Sequence, residues 1–114
     1  MALPELTKKR VELLLTDFCE KRVPPHVRNQ VKLTFEFRGD AATLFEDRPV
    51  WNDPSRWTHL PVAQFRLDPG SLEWSLYCCD RNSKWHLYQG AKATSALETL
   101  LSEVDRDPTG IFWG

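Results

Sequence analysis

Many of the reactive and aromatic side chains of this protein lie in one connection between two predicted strands. Residues 44–57 contain three acids, two arginines, two tryptophans and two prolines, and a histidine follows two residues later. A carboxylate beside an imidazole can transfer protons near neutral pH, and tryptophan offers a flat apolar surface to a ligand. We therefore predict a polar binding pocket here, and its candidate lining residues are Glu46, Arg48, Trp51, Asp53, Trp57 and His59.

A purely structural interpretation of the same connection stands beside that prediction. Glu46 and Arg48 lie two residues apart and face the same side of a strand, so their charges can pair and anchor the loop. Asp53 precedes a proline and a serine, which is a common turn sequence. In an enzymatic alternative, Glu46 assisted by His59 would act as a general acid or base.

The charge of the chain is nearly balanced but unevenly distributed. The formal net charge of −1 argues against a general polyanion binder, yet residues 21–38 hold five basic residues and one acid. Such a segment could bind phosphate groups. A nucleic-acid-binding protein is therefore an alternative function, and its candidate contacts are Lys21, Arg22, Arg28 and Lys32.

Length and cysteine content limit the class of protein. A chain of 114 residues suffices for one core, so we expect residues 1–114 to form a single domain. No apolar run approaches the roughly 20 residues of a membrane helix, and the first residues do not predict a signal peptide. Three cysteines, two of them adjacent, do not suit a disulfide framework, so we expect a cytoplasmic protein.

No established catalytic or metal-binding motif occurs in the sequence. The nucleophile-elbow, dinucleotide, phosphate-loop and zinc-protease patterns are all missing. The three histidines are scattered, and the adjacent Cys78 and Cys79 point to opposite faces of a strand, so they do not form a zinc site together. We predict no metal and no cofactor, and a non-enzymatic role is favoured.

Hydrophobic periodicity predicts a helix near each end of the chain. A helical stripe that stops before Val23-Pro24-Pro25 comprises Leu6, Val11, Leu14, Leu15 and Phe18. Near the other end, Ser95 and Glu98 have the spacing of a capping box and precede a second apolar stripe. The apolar residues 111–113 are expected to dock on the body of the protein.

Between the helices, alternating apolar and polar residues and three turn sequences predict a five-stranded antiparallel meander. The turns are expected at residues 39–40, 68–71 and 80–83. They predict registers that pair Phe35 with Leu44, Phe65 with Trp74, and Cys78 with Trp85. The fold class is then α+β, with both helices packed on one face of the sheet.

The predicted registers leave the second face of the sheet without a covering helix. They group Tyr77, His86 and Tyr88 on that face, away from the apolar core residues. Tyrosine and histidine combine an apolar body with a polar tip, which suits a binding surface. The structural alternative is that a helix or a second subunit covers this face.

A longer pattern includes the same connection. The connection contains the run Phe45-Glu46-x-Arg48-Pro49-x-Trp51-x-Asp53-Pro54, and residues 18–28, Lys84-Trp85-His86 and the closing Gly110-x-Phe112-x-Gly114 add to it. In this order, over nearly the whole chain, the sequence resembles a small bacterial family, domain of unknown function 3024. It departs from the family pattern at Asp47, where an apolar residue is expected. The resemblance implies a stand-alone bacterial domain and brings no known activity, cofactor or partner.

These features favour a small cytoplasmic module that binds a protein or a second copy of itself. The module would use residues 51–59 and the face formed by Tyr77, His86 and Tyr88. Salt dependence separates this prediction from the nucleic-acid alternative, because phosphate-driven complexes weaken steeply as salt rises.

Overall fold

The chain forms a helix, a five-stranded antiparallel sheet and a second helix, as predicted. The computed structural model describes residues 3–113, so Gly114 of the closing motif lies outside the described residues. The elements are α1 (Glu5–Arg22), a 3₁₀ turn (Pro25–Val27), β1 (Lys32–Arg38), β2 (Ala41–Val50), β3 (Asp53–Asp68), β4 (Glu73–Cys79), β5 (Trp85–Leu87) and α2 (Leu97–Arg106). The strands lie in chain order across the sheet, which confirms the α+β class and the meander.

Both helices pack on one face of the sheet, which we call the inner face. Buried residues of α1 and α2 join inner-face residues of the strands in one apolar cluster. Its fully buried side chains include Leu15, Leu44, Phe65, Leu76, Leu100 and Val104. The opposite side of the sheet, the outer face, carries alternate residues of the same strands.

α1 uses most of its predicted apolar stripe. Val11 and Leu15 are buried, and Leu14 and Phe18 pack against the core. Leu6 is exposed, so its predicted place in the stripe is wrong. A helix turns about 100° per residue, which leaves Leu6 about 140° away from Val11 around the axis.

Turn geometry determines which of the predicted registers are correct. The β1–β2 register is confirmed, with Phe35 opposite Leu44. Residues 69–72 form a longer loop than predicted, in which the Leu72 N–H donates to the Asp68 carbonyl at 2.8 Å. The β3–β4 register therefore shifts by two residues and pairs Phe65 with Leu76. A shift of two keeps every side chain on its predicted face.

The last hairpin shifts by one residue, which has a larger effect. The Asp80 N–H donates to the Lys84 carbonyl at 2.9 Å, and Ser83 has a positive φ of 62°. This three-residue loop, with a left-handed last position, is a common hairpin connection. It pairs Cys78 with His86 instead of the predicted Trp85. A shift of one residue exchanges the two faces, so the predicted grouping on β5 is wrong.

Phe112 and Trp113 dock on the body, as predicted, whereas Ile111 is 47% exposed and its predicted docking is wrong. Phe112 is buried, and the Trp113 Nε1–H donates to the Val104 carbonyl at 2.7 Å. The Asp107 carboxylate accepts the backbone N–H groups of Phe112 and Trp113 at 3.1 and 2.9 Å.

The predicted capping box of α2 is wrong, because Ala96 is the N-cap residue and no side chain caps the helix.

β2 and β3 continue past the rest of the sheet as a two-stranded ribbon, which we call the arm (residues 48–60). β1 pairs with β2 only as far as Asp47, and β4 pairs with β3 only from Ala63 onward. No residue of the arm is buried. The arm is thus held mainly by pairing between its own strands, outside the apolar core.

Candidate functional site

The six side chains of the predicted pocket do not line one pocket. Glu46 is opposite Leu33 of the inner face, and Arg48 shares its side of the strand. Trp57 and His59 lie on the outer face, and Trp51 lies in the turn at the tip of the arm. The predicted lining residues are therefore divided between two faces and a tip.

An extra residue in β3 causes this division. Leu44 pairs with Ala63 but Phe45 pairs with Pro61, so Val62 forms a β-bulge. The bulge moves the preceding part of β3 by one residue relative to β2 and turns His59 to the outer face. His59 cannot assist Glu46 from there, and the predicted pairing of these two residues is wrong.

Glu46 and Arg48 do form the predicted ion pair. Arg48 donates from Nε to Glu46 Oε1 at 3.2 Å and from Nη2 to Oε2 at 3.4 Å. The side chains of Glu46 and Arg48 are 25% and 56% exposed, so the pair lies at the surface. Asp53 begins β3 and accepts the hydroxyl of Ser55 at 2.6 Å, while the turn itself falls on residues 51–52.

The outer face contains a side-chain network centred on His59 that the sequence did not predict. His59 Nδ1 lies 2.6 Å from Asp47 Oδ1, and Nε2 lies 2.8 Å from Glu36 Oε2. Thr34 donates its hydroxyl to the second Asp47 oxygen at 3.1 Å. The imidazole stacks on the Phe45 ring with centroids 3.8 Å apart and planes 16° from parallel. The network ties β1, β2 and β3 together.

The two carboxylates stabilise the charged form of His59. Partial burial lowers the pKa of His59, but hydrogen bonds to Asp47 and Glu36 and the charges of both acids outweigh it, and the pKa is raised. An imidazolium donates from both nitrogens and so satisfies both acids at once. The acids meet opposite nitrogens, so the three groups do not converge on one metal ion, and residues 3–113 contain no other cluster with metal-binding geometry.

Asp47, where an apolar residue was expected from the sequence, is a central member of this network. The predicted β1–β2 register already placed Asp47 opposite Lys32, and the structure confirms that pair. No sequence pattern indicated the bulge at Val62, and without it His59 cannot be placed beside Asp47. The position of Asp47 beside β1 could therefore be predicted from the sequence. The position of His59 could not, because it depends on the bulge at Val62.

Three large apolar side chains of the arm are exposed. Trp51 is 91% exposed, Leu60 57% and Trp57 37%. The Lys32 ammonium lies 4.4 Å from the centre of the Trp57 ring, a cation–π distance that holds this indole at the base of the arm.

The second predicted surface does not form as a group. Tyr77 lies on the outer face, where the Arg66 guanidinium stacks 3.8 Å from its ring. His86, in the edge strand β5, lies on the face opposite to Tyr77, and its Nε2 lies 2.7 Å from Asp80 Oδ2. Tyr88 is buried, and its hydroxyl donates to Glu103 at 2.8 Å. Tyr88 is therefore a core residue, and burial and the neighbouring Glu103 carboxylate raise the pKa of its hydroxyl.

The basic residues of the nucleic-acid alternative do not form one free cationic surface. Lys21 pairs with Asp17 at 3.0 Å, and Arg22 pairs with Asp105 at 2.7 Å while stacking on Trp113. Arg28 and Lys32 border a groove between α1 and β1, and Lys32 also covers Trp57.

Comparison with protein families identifies the chain. A family model described as a domain of unknown function, DUF3024, matches residues 3–114. The chain belongs to this family. Neither the search of curated proteins nor that of solved structures found a match. Among the described residues of this DUF3024 domain, no helix is long and apolar enough to span a membrane.

Proposed function

We propose that this DUF3024 domain is a small cytoplasmic bacterial module that binds a protein partner through its arm. The observation that carries the proposal is the 91% exposure of Trp51 at the tip of a ribbon that extends beyond the core. Leu60 and Trp57 add exposed apolar surface to the same ribbon. Tryptophan is among the residues that most often dominate binding energy when an interface buries them.

The arm is suited to recognition because its backbone is ordered before binding. Arg48 pairs with Thr58, Pro49 with Trp57 and Val50 with Asp53, while residues 54–56 lie outside this pairing. The Thr58 hydroxyl also donates to the Arg48 carbonyl at 3.2 Å. A binding element that is already ordered loses less conformational entropy when it meets its partner. The exposed indole of Trp51 is presented on such an element.

The charges of the arm favour a protein over a nucleic acid. Residues 48–60 contain two arginines and one aspartate, and Glu46 and Asp47 flank the base of the arm. Glu46 offsets the charge of Arg48 by direct pairing. Mixed charge around exposed aromatic residues resembles a protein interface more than a phosphate-binding surface.

The thiols of the chain support a reducing compartment. All three cysteines are free. Burial and the nearby Glu20 raise the pKa of Cys19 to about 11, so this thiol stays protonated and unreactive at neutral pH.

Affinity capture with matched variants tests the proposal. The parent domain, Trp51→Ser and Leu13→Gln are immobilised and exposed to the same bacterial lysate. Leu13 is a matched control because it is exposed on α1, away from the arm. We expect one protein to be captured by the parent and by Leu13→Gln and to be lost with Trp51→Ser. The purified pair should then bind about 30-fold more weakly when Trp51 is replaced, the loss typical of a dominant interface residue.

Two results contradict the proposal. One is equal capture, or no capture, by all three baits. The other is a captured complex that dissociates steeply with rising salt, because that behaviour indicates a phosphate-driven contact instead of an aromatic one.

A further inference from the structure

The two edges of the sheet differ in how well they are closed. β5 has three residues, and beside it the edge of β4 is continued by a bridge between Trp74 and Thr94. β1 has seven residues and, among the described strands, pairs only with β2. Apart from that pairing, no backbone hydrogen bond within residues 3–113 joins Lys32–Arg38 to another part of the chain. An open edge strand offers its free N–H and C=O groups to a strand of another chain.

A groove runs along this open edge. The C-terminal part of α1 stands away from β1, and the space between them is a cavity of ≈ 270 Å³. The apolar part of its lining comprises Cys19, Val23, Leu33 and Phe35. A strand added to β1 would therefore have space on the inner face for its own apolar side chains.

We propose that β1 pairs in antiparallel fashion with β1 of a second copy of this chain, around a two-fold axis at Thr34. In this register each residue faces the residue of the second copy that lies equally far from Thr34 in the opposite direction along the chain. Lys32 then faces Glu36 of the second copy on the outer face. Leu33 faces Phe35 of the second copy on the inner face. The two sheets become one continuous sheet with the helices of both copies on the same side.

Charge and polarity favour this register over its neighbours. Moving the axis to Leu33 places Lys32 opposite Thr34 and Glu36 opposite Gln30, so no opposite charges face each other. Moving the axis to Phe35 places Lys32 opposite Arg38, which puts like charges together. Moving it to Glu36 places that carboxylate opposite its own copy. Moving the axis to lie between two residues sets apolar inner-face residues beside polar outer-face ones. The register at Thr34 instead pairs opposite charges with each other and apolar side chains with each other, and oppositely charged residues facing each other stabilise a sheet.

The charged residues of this contact remain available in the single copy. The Glu36 side chain is 63% exposed although His59 contacts it, and a carboxylate accepts several hydrogen bonds. Lys32 is exposed while it covers Trp57, and its ammonium has three donors. One strand pair makes a small interface, so we expect a dimer whose population depends on concentration in the micromolar range.

Charge reversal in two separate variants tests the register. Lys32→Glu places two acids opposite each other in the homodimer, and Glu36→Lys places two lysines opposite each other. We expect each variant alone to be monomeric in sedimentation equilibrium under conditions where the parent is dimeric. Mixed in equal amounts, the two variants should form a heterodimer, because positions 32 and 36 are both acidic in one variant and both basic in the other. Loss of folding cannot produce that rescue.

Two control variants separate this contact from other causes. Arg38→Glu reverses a charge on the same strand, but its residue faces Gln30 of the second copy, so dimerisation should persist. Trp51→Ser removes the exposed indole of the arm and should also leave the dimer intact, which keeps this proposal distinct from partner binding by the arm. A monomeric parent at millimolar concentration, single reversals that still dimerise, or a mixture that stays monomeric would each overturn the proposal.

Discussion

β2 and β3 build both the arm and the part of the sheet beneath the helices, which we call the body. The two regions use apolar side chains in opposite ways. In the body, Leu44 of β2 and Phe65 of β3 are completely buried beneath the helices. In the arm, Trp51 and Leu60 are mostly exposed. Burial of apolar surface is the main stabilising contribution to folding, so the body holds the fold together and the arm adds little to its stability. Substitutions in the arm should therefore change its binding surface with little loss of stability.

Truncation of one aromatic residue in each region should show the largest difference. Phe65→Ala leaves a cavity in the core and should lower the free energy of unfolding by about 3–5 kcal/mol. Trp57→Ala removes an indole of the arm that is 37% exposed and covered by Lys32, and it should cost about 1–2 kcal/mol. Urea denaturation of both variants measures the difference. Equal losses would mean that the arm shares the stability of the body.

The two tyrosines that the sequence grouped on one face give a second comparison. Tyr88→Phe removes the hydroxyl that donates to the buried Glu103 and should cost about 1–3 kcal/mol, because a buried acceptor loses its donor. Tyr77→Phe changes a half-buried ring on the outer face and should shift stability by about 0.5 kcal/mol or less. Thermal melts of the two variants distinguish the buried tyrosine from the surface one. Similar shifts would contradict the placement of Tyr88 in the core.

The outcome at each turn shows how far the fold and the site could be predicted from sequence. Alternation and helical spacing indicated the element order and the β1–β2 register, because a two-residue turn at Gly39-Asp40 leaves little freedom. They missed the bulge at Val62 and the three-residue loop before Lys84. Each is a change of one residue, and each turns the side chains beyond it to the other face. These errors changed the predicted core little, but they changed which side chains lie together in the candidate sites.

The acid-bridged His59 gives a smaller, pH-dependent effect at the junction between body and arm. Its pKa is raised in the folded chain above the ordinary value of 6.5. A raised folded pKa means that the stabilisation is fully present below that ordinary value and is lost as the pH rises through the folded pKa. We expect the difference in stability between the parent and His59→Gln to shrink over this range. An NMR titration that places the pKa of His59 at or below 6.5 would contradict the double hydrogen bond.

The ion pair at the base of the arm should have the smallest effect. Glu46→Ala leaves Arg48 without its partner, but Arg48 is more than half exposed and water can replace the carboxylate. The expected loss is about 0–1 kcal/mol, close to that of Asp53→Ala. Guanidinium denaturation of both variants measures the two losses. A loss of several kcal/mol for Glu46→Ala alone would mean that the arm is anchored as a buried part of the body.

The division between body and arm is tested most sharply when stability and binding are measured on one variant. Trp51→Ser is compared with the parent by urea denaturation and by capture of the partner protein from the same lysate. We expect a free energy of unfolding within about 0.5 kcal/mol of the parent, together with loss of the captured protein. A destabilised variant would show that Trp51 serves the fold. Normal stability with unchanged capture would show that the exposed tip of the arm is not the recognition element.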